Sequence, residues 1–332
     1  WLLFLALEAA ADTATLSASQ DATLYQTSDP TADAGNGAGN YTFTGVTAGA
    51  LARRALIRFD IAAGIPAGAT IDSVLLRMNV SRVPNPSNPA DVRLHRVSAS
   101  WDEGASDALG EEGQGQLPPA FDDATWRHRS YNDVFWATPG GDYTPGASGM
   151  QTVGDEGLYT WGNTAGMVSD VQQWLDTPAG NFGWIVIGDE TDDKNAKRFD
   201  SREFFSGVRP ELVVQYTPAM PVGSCCNGAS CQVVTAAECS QLEGTFGGPG
   251  TTCSPNPCAD PAGACCATDG NCTDTTESLC EAGGGIFQAE GSSCALLMCP
   301  VQLTPWLDAL PLPVTAIPTS GFAGGEASYS LA

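Results

Sequence analysis

The sequence has little histidine and little positive charge. Only His95 and His128 occur in 332 residues, and 14 lysines and arginines face 38 aspartates and glutamates, giving a net charge of −24. Two isolated histidines do not form the clusters on which copper or zinc catalysis draws. No lysine or arginine follows Arg209, although eleven carboxylates do. A surface of that sign repels nucleic acid and anionic lipid, both of which require cationic neutralisation, so neither is an expected partner. Long apolar runs are missing as well: Trp1–Leu7 falls far short of the roughly 20 residues a membrane-spanning helix needs. No G-x-S-x-G, H-E-x-x-H or G-x-x-x-x-G-K motif occurs, and "GNGAGN" at 35–40 sits between strand-like segments, where turn formation accounts for its glycines. Asp102 and Glu103 are adjacent, so in a strand they point to opposite faces and do not share one substrate. No enzyme activity is expected from the residues present.

Cysteine is absent from the first 224 residues and then comes twelve times. One block contains Cys225, Cys226, Cys231, Cys239, Cys253 and Cys258, with gaps CC-x4-C-x7-C-x13-C-x4-C. The other contains Cys265, Cys266, Cys272, Cys280, Cys294 and Cys299 and differs by one inserted residue. Neither block has a C-x2-C or a histidine, which argues against zinc. Each block is roughly forty residues long with one phenylalanine, Phe246 or Phe287, and few aliphatics. So little apolar surface does not hold a fold, and cross-links that restrict the unfolded chain are the expected remedy. Three bridges per block are expected, with about 15 possible connectivities each. The strained ring of a vicinal bridge sends each member of a CC pair to a different partner. Disulfides imply an oxidising compartment. Trp1–Leu7 with the A-x-A pattern at Ala9 and Ala11 reads as the remnant of a secretory signal, residues 1–11, the other reading being a buried strand. Both features point to a secreted or cell-surface protein.

Residues 12–218 read as all-β. In "RRALIRFDI" Ala55, Ile57 and Phe59 share one face, and in "SVLLRMNV" Val74, Leu76, Met78 and Val80 do so. Further strands are expected at "ATLYQ", "YTFTGV", "VRLHRV", "LYTW", "FGWIVIG" and "ELVVQYT". Turn-rich stretches stand between them, among them "ATPGGDYTPGASG". One helix is expected in "TAGMVSDVQQWLDTP", with Thr164 as N-cap, Met167, Val171, Trp174 and Leu175 on its core face, and Pro178 as stop.

"RRALIRFDIAAGIPAGATIDSVLLRMNV", "SWDEGASD", "DVQQWLDTPAGNFGWIVIGDE" and "RFDSREFFSGVRPELVVQY", in that order, resemble the DNRLRE domain, a jelly-roll module related to carbohydrate-binding module family 96. The resemblance covers nearly all of 12–218; the stretch 111–143 departs from it as an insertion-like region. It implies an exported, non-catalytic jelly-roll β-sandwich, with acidic polysaccharide or a cell-surface glycan as partner. Residues 219–260 and 261–300 are two cysteine-rich repeats resembling spacers of large exported bacterial proteins. Residues 301–332 form a proline-spaced linker that resembles the lead-in to a multicopper oxidase. This second resemblance implies that the chain is the front of a longer exported oxidase, with copper bound only further downstream. A structural cell-surface protein without a small ligand is the third reading.

For a glycan site, Arg58, Arg77, Arg93 and His95 lie on the solvent-side register of three successive strands and could bind uronate carboxylates, guanidinium contacts being strongest when bidentate. Ion pairing with the abundant acids is the structural alternative. Trp101, Trp126 and Trp136 lie near loops, where they stack on sugar rings or close the ends of the sandwich. Asp189, Asp192 and Asp193 in "DETDDK" are candidates for a structural calcium, although the loop lacks the glycine and terminal glutamate of a helix-loop-helix site.

Overall fold

A computed structural model describes residues 10–84, 87–192, 194–258, 260 and 262–300. The expected signal remnant, apart from Ala10 and Ala11, and the tail 301–332 lie outside these residues. The chain divides into two compact units, Trp1–Met220 and Pro221–Ala332. Among the described residues no helix is long and apolar enough to cross a membrane.

In the first unit strands far outweigh helices. In chain order it contains β1 (Asp12–Tyr25), β2 (Tyr41–Val46), β3 (Ala52–Phe59), the one-turn α1 (Ile61–Gly64), β4 (Thr70–Arg82) and β5 (Ala90–Val97). The small hairpin β6 (His128–Ser130) and β7 (Val134–Phe135) follows, then β8 (Tyr143–Val153), β9 (Gly157–Gly162) and α2 (Ala165–Asp176). β10 (Trp184–Ile187), β11 (Lys197–Asp200) and β12 (Glu211–Thr217) complete it. The neighbour order β1-β12-β4-β11-β2-β3, with β3 pairing back to β1, closes a six-stranded ring. β10, β5 and β8 extend the ring outward from β3, and β9 flanks β4.

Two strands close the ring by changing partners along their length. Asp12–Ser17 of β1 pair with β12, and after a register shift at Ala18/Gln20 the rest pairs with β3. β2 pairs with β11 through Tyr41–Thr44 and with β3 through Gly45 and Val46. Gly45, at that changeover, has φ +101°, a backbone conformation that side chains other than glycine's resist.

The expected alternation holds. Ala55, Ile57 and Phe59 join Val74, Leu76, Met78 and Val80 in the main core. The helix packs there too: Met167, Val171, Trp174 and Leu175 are buried, Thr164 accepts the Met167 N–H, and the Trp174 and Trp184 rings meet edge to face at 4.7 Å. The opposite face of β3 is not left to solvent. Leu56 enters a second core with Ala22, Leu24, Val97, Trp101, Ala124, Trp136 and Ile185, built where the insertion-like region folds over the sheet.

One turn-rich stretch turned out otherwise. "YTPGASGM" lies within the strand β8, which pairs with β5 through two register shifts around His95. β8 is the last strand on its side, and an edge strand tolerates a proline such as Pro145, whose missing N–H breaks no ladder on both sides.

In the second unit each repeat is a three-stranded sheet with a short helix. The first contains β13 (Val222–Asn227), β14 (Ser230–Thr235), α3 (Ala236–Gln241) and β15 (Thr245–Phe246). The second contains β16 (Ala262–Cys266), β17 (Cys272–Thr276), α4 (Glu277–Ala282) and β18 (Ile286–Glu290). The described residues therefore carry four α-helices, where one was expected. Bridges join Cys225–Cys239, Cys226–Cys258 and Cys231–Cys253, and in the same order Cys265–Cys280, Cys266–Cys299 and Cys272–Cys294. Both vicinal pairs split between partners. A repeated glycine has a steric cause: a Cβ on Gly244 would lie 2.5 Å from Cys225 Sγ, and one on Gly285 would lie 2.5 Å from Cys265 Sγ. Six bridges belong to an oxidising environment.

Candidate functional site

Side by side on the outer face of the sheet, β5, β10 and β3 bring Arg93, Ile187 and Arg54 into one transverse row, since Ile187 pairs with both arginines. Residues directly opposite in antiparallel strands share a face, so the two guanidinium groups flank the isoleucine. A second row, His95–Ile185–Leu56, lies one pleat further along, and Ile185 and Leu56 already belong to the second core. The segment Ala137–Asp142 and Tyr143 border the rows, leaving an open groove of about 940 Å³.

Each polar group along the groove has a defined role. Arg54 is gripped by Glu190 through Nε–Oε1 at 2.7 Å and Nη2–Oε2 at 2.8 Å, and Nη1 donates to the Gly140 carbonyl. It also lies over the rings of Trp126 and Tyr143, at 4.9 and 5.6 Å. Burial opposes its charge, but Glu190 outweighs burial and holds the guanidinium pKa above its usual value. Arg93 is the accessible cation of the groove: its side chain is 42% exposed, and among the described residues its one ion pair is with Asp91, itself a surface carboxylate. Such a pair contributes about 0–1 kcal/mol, so a competing anion can replace it. His95 lies edge-on to Tyr143, and its Nδ1 is 3.0 Å from the Thr144 carbonyl. A carbonyl only accepts, so Nδ1 bears a proton. Asp142 is occupied by the Ala137 and Thr138 N–H groups.

The expected cationic stripe is thereby dispersed. Arg93 and His95 meet in the groove. Arg58 lies four residues from Arg54 on β3, about 13 Å along the strand, and donates to Gln20. Arg77 lies on β4, opposite Glu211 of β12 and Thr160 of β9, because β4 belongs to the other side of the ring. Period-two reading gives the face of a residue within its strand but not which strands become neighbours.

The tryptophans divide in the same way. Trp101 and Trp136 are each 4% exposed and their indole N–H groups donate to the carbonyls of Phe182 and Thr125. They hold the insertion-like segment to the sheet and offer no face to a sugar. Trp126 is half-buried beneath Arg54. In the acidic loop, Asp189 accepts the N–H and hydroxyl of Thr191, which hold its carboxyl below the usual range, and Asp192 is exposed. Asp193 lies outside the described residues.

Two clusters went unnoticed in the sequence. Asp21, Glu103 and Glu203 bring carboxylate atoms within 4.8 Å of one another. Arg202 supplies the cation between them, bonding Glu103 twice and Glu203 once, while its N–H donates to Asp21. Burial, then the Glu203 charge, pushes the Asp21 carboxyl well above its usual range. Elsewhere Asp33 accepts from Thr125 and Arg127 and lies 3.3 Å from His128 Nδ1. Each cluster joins distant stretches of the chain, Asp21 and Glu103 with Arg202 and Glu203, and Asp33 with residues 125–128, and no local pattern reveals them. Cys266, Cys272 and Cys299 also converge, but all three are in disulfides and offer no thiolate.

Compared with known proteins, the chain matches no family model, and no curated protein matches it.

Proposed function

We propose that the chain is a non-catalytic, exported binding and spacer module that docks to an acidic polysaccharide or cell-surface glycan through the groove at Arg93. One observation carries this reading: in a chain of net charge −24, Arg93 and Arg54 flank an open groove that also presents Tyr143 and His95. A uronate chain needs a cation for its carboxylates and a ring surface for its apolar faces; Arg93 supplies the first and Tyr143 the second. The groove's carboxylates are engaged by the protein itself, Glu190 by Arg54 and Asp142 by backbone N–H groups, which favours binding over catalysis. Resemblance of residues 12–218 to the DNRLRE jelly-roll module supports the same role. The six bridges suit the two repeats to act as spacers outside the cell.

Affinity electrophoresis and calorimetry of the chain against alginate, pectate and neutral glucans test the reading. Binding to the acidic polymers that weakens with salt and with Arg93→Ala supports it. Failure to bind either acidic polymer overturns it and leaves a structural role.

A further inference from the structure

Across β3 from the groove, beneath Arg53, lies a second pocket of about 480 Å³ with a different character. Arg53 and Arg54 are consecutive strand residues and so face opposite sides. The pocket's apolar part is Phe43, Val46, Val83 and Pro84, and its charged lining is Arg53, Arg82, Lys194, Arg198 and Glu111. Among the described residues, four of the chain's 14 lysines and arginines thus meet around one carboxylate, although acids outnumber bases 38 to 14 overall.

Two of these cations, Arg53 and Arg198, are held in place before any ligand arrives. Arg53 is 2% exposed, lies over the Tyr25 ring at 4.9 Å and donates to carbonyls: Nε to Gly113, and Nη1 to Gln26 and Ala52. Among the described residues no carboxylate pairs with it. Arg198 lies 3.8 Å over the Tyr41 ring, with Nε donating to the Ser81 hydroxyl. Lys197, beside it, is buried against the carbonyls of Asn88 and Asn195 and adds to the positive field. Glu112, next in the chain, is not part of the lining: its carboxylate accepts from the Asn36 amide and the Asn40 and Tyr41 N–H groups.

Glu111 marks where an anion sits. Its Oε2 accepts from both Arg82 Nη1, at 2.7 Å, and Arg198 Nη1, at 2.5 Å, yet its side chain is 70% exposed. A carboxylate that is bonded at one oxygen and otherwise in water is easily displaced. An incoming carboxylate would reproduce both bonds while its body covers the half-buried Val83 and Pro84, a gain Glu111 does not make.

We propose that this pocket binds organic carboxylates that carry an apolar or sugar-ring face, with Glu111 as a displaceable internal competitor. The site does not depend on glycan binding at the Arg93 groove. Calorimetry of the full chain with D-galacturonate, phenylacetate and D-galactose tests it, and the acid that binds identifies whether a sugar acid or a hydrocarbon acid is the source. At least one acid should saturate the site and galactose should not. Arg82→Ala should weaken binding about tenfold, Glu111→Ala should strengthen it, and Arg93→Ala should leave it unchanged. Arg82 and Glu111 are surface side chains, so circular dichroism should show both variants folded. No saturation by either acid, an equal response to galactose, or weaker binding in Glu111→Ala would overturn the proposal.

Discussion

Arg202 grips Glu103 with two parallel hydrogen bonds, Nε to Oε1 and Nη2 to Oε2, both 2.7 Å long. The pair joins β11's exit to the segment after Trp101, and Asp21 of β1 is drawn in beside it. Burial, and after it the Glu203 charge, makes Asp21 keep a proton more readily in the folded chain than in the unfolded one. A carboxyl raised by folding contributes stability that is complete below its unfolded pKa of about 3.9 and is lost as pH rises through its folded value. Asp21→Asn, neutral at every pH, should therefore gain on the native chain as pH climbs above that range. Urea melts at a series of pH values check it, and parallel stability curves for the two proteins would refute it.

Asp33 is expected to behave in the opposite sense. Burial disfavours its charge, but Arg127, Thr125 and His128 more than compensate and hold its carboxyl below the usual range. Its contribution is present above about pH 3.9 and disappears as pH falls through the lowered value. Asp33→Asn should cost about 3 kcal/mol at neutral pH, as expected when a mostly buried pair loses one member. The deficit should shrink toward acid, and thermal melts at neutral and acidic pH measure it.

Tryptophan and arginine substitutions should separate stability from binding. Trp101→Ala empties part of the second core and should cost about 3–5 kcal/mol. Arg93→Ala removes a weak surface pair and should change stability by less than about 0.5 kcal/mol while weakening retention by acidic polymer. Loss of both properties in Arg93→Ala would show that its role is architectural.

Reduction should act on one unit alone. All six bridges lie at or beyond Cys225, and no cysteine precedes it. Thiol reagent should melt residues 221–300, where each lost bridge removes about 2–5 kcal/mol, and leave the strands before Met220 intact. Far-ultraviolet and tryptophan spectra with and without reductant distinguish these outcomes, and peptide mapping checks the pairing. A collapse of both units on reduction would contradict it.

Much of the architecture could be read from local pattern. The alternation in "SVLLRMNV" put Val74, Leu76, Met78 and Val80 on one face, and the i, i+3/i+4 spacing of Met167, Val171, Trp174 and Leu175 marked the helix, because burial imposes those periods directly. β8 escaped notice because its glycines and proline signal turns, whereas pairing with β5 made them strand. Trp101 and Trp136 were ambiguous for a related reason: their positions near loops do not reveal that the loops fold back onto Leu56 and Ile185.

By itself the sequence determined an acidic, mostly β chain whose last described segment is tied by sulfur, since composition and short periods govern burial and cross-linking within each stretch. Only the tertiary structure decided which strands became neighbours. It joined β1 and β2 into a ring, separated Arg77 from Arg93, and brought Arg82 and Arg198 together on Glu111. Such encounters depend on non-local pairing, and a strand carries no local record of the partner it will meet.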